Sequence, residues 1–104
     1  MTNILIIGAK NWNRVDTIKY SIFMHQPKDV HIYTLMEPGA SLIARQIALE
    51  NGYGQTDIPE LNDEVWNKIN LVLAYHPFIR NSKNTLNIYN EAAKRNIKRQ
   101  IFNA

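Results

Sequence analysis

Asn3-Ile4-Leu5-Ile6-Ile7-Gly8 is a short, unbroken apolar run stopped by glycine, and this stretch decides the fold. A run of this length and composition reads as a strand buried on both faces, as in a parallel sheet covered by helices. A second such run, Leu71-Val72-Leu73-Ala74 within Asn70–Tyr75, is stopped by Pro77. Between and after them the pattern changes period. Val15, Ile18 and Ile22 recur at helical spacing, which predicts a helix from about Arg14 to His25, ending before Pro27, with capping side chains at Asn11 to Asn13.

Val30–Leu35, rich in β-branched and aromatic residues, predicts the next strand. Glu37-Pro38-Gly39-Ala40 is a tight turn, and Ser41 is an N-cap for a helix burying Ile43, Ala44, Ile47 and Ala48. Gly52 is placed to end that helix in the left-handed conformation. Residues 53–59 read either as a short strand or as an irregular connection. Pro59 starts a short helix with Leu61, Val65 and Ile69 on one face and acidic residues in its first turn. Ser82 to Asn84 offer caps for a helix through Arg95 with Leu86, Tyr89 and Ala93 inward, and Ile97–Phe102 is a final edge strand. Strands alternating with helices imply an α/β fold: a single Rossmann-like three-layer domain over residues 1–104, with a mainly parallel sheet of four to five strands flanked by helices.

Composition narrows the function. The chain has 104 residues, 45% hydrophobic and 20% charged, which fits one globular domain and not a disordered chain. No apolar run approaches the roughly 18 residues of a membrane span, and the N-terminus lacks the basic and apolar regions of a signal peptide. With no cysteine, disulfides and thiolate chemistry are excluded. We therefore expect a cytoplasmic protein without membrane contact. The net charge of +3 is concentrated between Arg80 and Arg99 and is opposed by Asp57, Glu60, Asp63 and Glu64, so a nucleic-acid polymer is not the expected partner. Lys94 and Arg95 suit a helix C-terminus instead. His25, His31 and His76 are not at metal-ligand spacing, and we expect neither a metal nor a cofactor. An open sheet edge in so small a domain points to a homo-oligomer.

In open parallel sheets ligands bind beyond the carboxyl ends of the strands. Three segments arrive there: Gly8-Ala9-Lys10-Asn11-Trp12, Glu37-Pro38-Gly39-Ala40-Ser41, and His76 to Thr85. Each leads into a helix whose first N–H groups lack intrahelical partners, an arrangement that favours a phosphate. Gly8 and Gly39 are expected to let backbone approach that anion, with Lys10, Arg80 and Lys83 supplying charge. Trp12 reads either as a base-stacking ring or as core, and Ser82 and Asn84 either as ligand contacts or as caps. Neither the dinucleotide GxGxxG fingerprint nor the GxxxxGK[ST] loop is present.

At these residues the chain resembles the SLOG superfamily, which includes DprA-like, LOG-like and small YspA-like proteins. Gly8-Ala9-Lys10-Asn11-Trp12 is similar to its opening Gly-Ser-Arg-x-Trp motif, and Gly39-Ala40-Ser41-Leu42-Ile43-Ala44 to its Gly-Ala-Asp-x-Leu-Ala motif. Ser82-Lys83-Asn84-Thr85 resembles its Ser-[Arg/Lys]-Gly-Thr motif. The resemblance implies a nucleotide-derived ligand and, for some members, cleavage of an N-glycosidic bond. The chain departs from the pattern where that chemistry would sit. Ser41 replaces an aspartate, Asn84 a glycine, and Ile88 the glutamate of LOG-type hydrolases.

We accordingly expect a module that binds a phosphate-bearing nucleotide derivative, such as a cyclic nucleotide or an ADP-ribose-type signal, and sequesters it without cleavage. Glu37 is the one acidic residue this reading brings to the crevice. The Asn, Ile and Lys content fits an AT-rich, phage-like coding source. Two alternatives stay open: a LOG-type phosphoribohydrolase using Glu37 or His76, and a DprA-like single-stranded DNA binder using the basic stretch.

Overall fold

The two apolar runs lie side by side at the centre of one sheet. The computed structural model describes residues 1–103, which run β1 (Thr2–Gly8), α1 (Val15–Phe23), β2 (Val30–Leu35), α2 (Ala40–Glu50), β3 (Gly54–Ile58), α3 (Asp63–Trp66), β4 (Leu71–Tyr75), a 3-10 turn (Ile79–Asn81), α4 (Lys83–Lys94) and β5 (Lys98–Phe102). The strand order is β3-β2-β1-β4-β5, and every pairing is parallel. Ile4 faces Ile32 on one side and Leu71 on the other. This is an α/β three-layer architecture of the Rossmann-like kind.

Alternate residues of the central strands feed two cores. Ile4, Ile6, Val30, Ile32, Leu73 and Tyr75 meet Ile18 and Ile22 of α1 and Ala44, Ile47 and Ala48 of α2. Leu5, Ile7, Val72 and Ala74 meet Ile58, Trp66, Ile69 and Ala92 on the opposite face. Each fully buried isoleucine or leucine contributes about 1.5–3 kcal/mol, which is why the runs need no polar alternation. No described helix is long and apolar enough to cross a membrane.

Helix starts depart from expectation where loop packing overrides local capping. α1 begins at Val15 after Arg14, without a side-chain cap, so Asn11 to Asn13 stay in the loop; it ends at Phe23. α2 begins at Ala40, because Gly39 turns the chain at φ +82°. Ser41 is therefore inside the helix, buried, with Oγ donating to the Ile6 carbonyl at 3.4 Å. Pro59 starts no helix; α3 begins at Asp63, where the Asn62 side chain accepts the Val65 N–H at 2.9 Å. Residues 54–58 form a true third strand, at the sheet edge. In α4, Ala92 is buried and Ala93 exposed, so the inward face is Thr85, Ile88, Tyr89 and Ala92. Gly52 does leave α2 at φ +78°, and β5 does lie at an edge.

Tyr75 is wholly buried, stacked on Phe102 at 4.8 Å and edge-on to Trp12 at 5.7 Å. Its hydroxyl lies near Ser21 but makes no hydrogen bond of ordinary geometry, and burial pushes its pKa up to about 12. Tyr75→Phe keeps the ring stack and removes a desolvated hydroxyl, so urea unfolding should show equal or higher stability, by about 1 kcal/mol. A clear loss would reveal a partner for that hydroxyl.

Candidate functional site

Chain direction sets where a site can form. From β1 the chain winds outward to β2 and β3, then crosses to the other side of β1 to build β4 and β5. The loops after β1 and β4 thus leave in opposite senses and open a crevice between their carboxyl ends. A cleft of about 230 Å³ occupies this position, lined by Gly8, Ala9, Lys10, Asn11, Glu37, His76, Ser82, Asn84 and Thr85. All three loops contribute to it.

Backbone bonds hold the loops together. The Ala9 N–H donates to Tyr75 O at 2.9 Å, while the Ala9 carbonyl accepts from Ala40 and from Trp12, each at 3.2 Å. Thr85 Oγ1 donates to the Gly8 carbonyl at 3.5 Å, joining α4 to β1. The glycines are required by this packing; Gly8 also lines the cleft, whereas Gly39 does not. A Cβ on Gly8 would collide with the Tyr75 carbonyl and sit 2.7 Å from Ala40 Cβ. A Cβ on Gly39 would collide with the Ala9 carbonyl and lie 2.6 Å from the Lys10 backbone.

What remains open is backbone. The Ser82 side chain accepts the Thr85 N–H at 3.2 Å and its carbonyl accepts Leu86. Among the described residues, nothing accepts from the N–H groups of Lys10, Asn11, Lys83 and Asn84. Lys10, Asn11 and Asn84 line the cleft. Lys10 is the one cation on that wall among the described residues, and Glu37 the one carboxylate. His76 Nδ1 accepts the Phe78 N–H at 3.0 Å, so the neutral ring carries its proton on Nε2 as a donor. Burial holds its pKa below the ordinary imidazole value.

Other expected site residues lie elsewhere. Trp12 is core, its Nε1 donating to the Arg14 carbonyl at 3.1 Å, and it cannot stack on a base. Ala40 and Ser41 are buried behind the second loop. Arg80 and Lys83 are exposed and outside the cleft wall. Pro38 lines a neighbouring cavity of about 340 Å³ with Leu35, Met36, Glu37, Leu42, Arg45 and Asp57. A third cavity, also about 340 Å³, is lined by Leu35, Met36, Glu37, Pro59, Glu60, Leu61, Asn84 and Ile88. Glu37 borders all three cavities, and Glu60 is a second carboxylate that sequence reasoning missed. It became visible only once residues 54–58 proved to be a strand ending at the same edge. Asn11, read in the sequence as a capping side chain, lines the cleft instead. No three described carboxylate or imidazole groups cluster to hold a metal.

Comparison with family models, curated proteins and solved structures found no match.

Gly39→Ala should lower stability by more than about 2 kcal/mol in urea unfolding, since the residue needs both a left-handed φ and contact with loop backbone. Wild-type stability would show instead that the loops yield. His76 favours folding fully above about pH 6.5 and less as pH falls toward its lowered folded value, because the unfolded chain takes the proton first. The stability gap between wild type and His76→Gln should therefore shrink between pH 7.5 and 5.5. A gap that widens on acidification contradicts this sign.

Proposed function

We propose that the chain binds a phosphate-bearing, nucleotide-derived small molecule in the crevice and releases it unchanged, acting by sequestration. One observation carries the reading: Lys10 and Asn11 of the β1 loop and Asn84 at the α4 start, whose backbone N–H groups have no acceptor among the described residues, line one cleft together with the Lys10 charge. Backbone donors at a helix N-terminus beside a lysine form an anion cradle, and they need no side-chain chemistry to hold phosphate. His76 Nε2–H adds a neutral donor. Glu37, just beyond the end of β2, holds the position from which a carboxylate meets ribose hydroxyls in open parallel sheets. Polarity thus runs from phosphate at the β1–β4 gap to sugar at the end of β2.

The lack of catalysis rests on Ile88, an aliphatic group on the wall shared by Glu37 and Asn84. A hydrocarbon there can neither activate water nor stabilise an oxocarbenium centre. A second reading, hydrolysis of an N-glycosidic bond, is favoured by Glu60, which lines the same cavity as Glu37. Membership of the SLOG superfamily agrees with either reading and remains part of the proposal.

The test uses 5′-monophosphates and the matching nucleosides in calorimetry, followed by chromatography of ligand recovered from heat-denatured protein. Lys10→Ala should weaken monophosphate binding about tenfold to a hundredfold and leave nucleoside binding nearly unchanged. Lys83→Ala should have little effect. Intact recovered ligand supports sequestration. Free base accumulating over several turnovers, and abolished by Glu60→Gln, would establish the hydrolase instead.

A further inference from the structure

The cavity beside the phosphate cleft contains a built polar group that the reading above leaves unused. Arg45 of α2 and Asp57 of β3 meet there, Arg45 Nε donating to both carboxylate oxygens at 3.0 and 3.2 Å. Asp57 is itself fixed: Gln55 Nε2 donates to its Oδ1 at 2.9 Å, and the wholly buried Thr34 hydroxyl donates at 3.3 Å. The Gln55 bond chiefly, with Arg45 helping, keeps the Asp57 carboxyl below its ordinary range, so it is ionised at neutral pH.

The carboxylate engages one nitrogen of the guanidinium. A tether built for strength would take the two-pronged form, with two parallel N–H···O bonds. Here Nη1 and Nη2 have no partner among the described residues. The guanidinium is held in orientation by Asp57, with its two-pronged edge free. The cavity it borders is otherwise apolar at Leu35, Met36, Pro38 and Leu42, and Met36 and Leu42 are 69% and 49% exposed. Large apolar side chains left in water beside an oriented cation suit a planar ring carrying an anion. Glu37, just beyond the end of β2, borders this cavity and the phosphate cleft alike, so the two lie on either side of one residue.

We infer that Arg45 is a second anion receptor, so that the ligand is a nucleotide with two separated phosphates, a nucleoside bisphosphate or dinucleotide, and not a nucleoside monophosphate. This rests on the phosphate-cleft reading above. The first phosphate sits on the Lys10–Asn84 cradle, the sugar passes Glu37, and the distal ring and phosphate occupy the Met36–Leu42 shelf and the Arg45 edge.

Calorimetry with the 5′-monophosphates of adenosine, guanosine, cytidine and uridine and their 3′,5′-bisphosphates tests it. At least one bisphosphate should bind wild type about tenfold or more tighter than its monophosphate. Arg45→Gln should abolish that advantage while leaving monophosphate affinity unchanged, and Lys10→Ala should weaken both. Asp57→Asn, which removes the orienting charge but keeps the arginine, should give an intermediate loss. Thermal unfolding of each variant checks that the fold is kept. Equal binding of the two classes to wild type, or equal loss of both in Arg45→Gln, would overturn the second receptor and leave the phosphate cleft standing. Failure of every probe to bind would overturn both.

Discussion

The carbonyl of Ala9 accepts two backbone N–H groups, from Trp12 and from Ala40, and the cleft depends on that junction. It ties the loop leaving β1 to the start of α2. Closeness of this kind excludes side chains, which explains glycine at positions 8 and 39: any Cβ there would overlap neighbouring backbone or Ala40. Thr85 closes the third side by bonding to the Gly8 carbonyl. Three loops from three strands are thereby held in one arrangement before any ligand arrives. Pre-ordering of this sort spares a ligand the entropy of organising its own site.

Behind the junction stands the aromatic stack of Trp12, Tyr75 and Phe102. It occupies the face of the sheet opposite α3 and α4 and supports the loops from below, which accounts for a tryptophan in a loop being almost fully buried. Lys10 and Asn11 line the cleft, and among the described residues their backbone N–H groups have no acceptor.

Charge is distributed along the crevice in a definite order. A single lysine stands over the β1–β4 gap, carboxylates at Glu37 and Glu60 flank the middle, and the Arg45–Asp57 pair lies at the β3 edge. The strongly basic stretch of the chain lies elsewhere. Arg95 is engaged with Asp63 and Glu91 and lies over Trp66, while Arg99 lies over Tyr89. Those cations work as surface packing on α4 and β5.

Layer architecture was legible in the chain because its signal is local. Ile4 to Ile7 and Leu71 to Ala74 can be buried on both faces only between helical layers, and Gly52 and Pro77 stop elements by their own backbone restrictions. The three loops that form the cleft were legible for the same reason, since strand ends and helix starts can be counted along the sequence. Which residues of those loops line the cleft was decided by tertiary contacts. Trp12 turned inward because Tyr75 lies beneath it, and Ser41 was buried because α2 begins at Ala40. Gly39 met the backbone of Lys10, while Arg45 met Asp57 only because β3 pairs with β2 in the register that sets Thr34 beside Asp57. Strand register and helix phase are properties of pairs of elements, and no window of a single chain contains both partners.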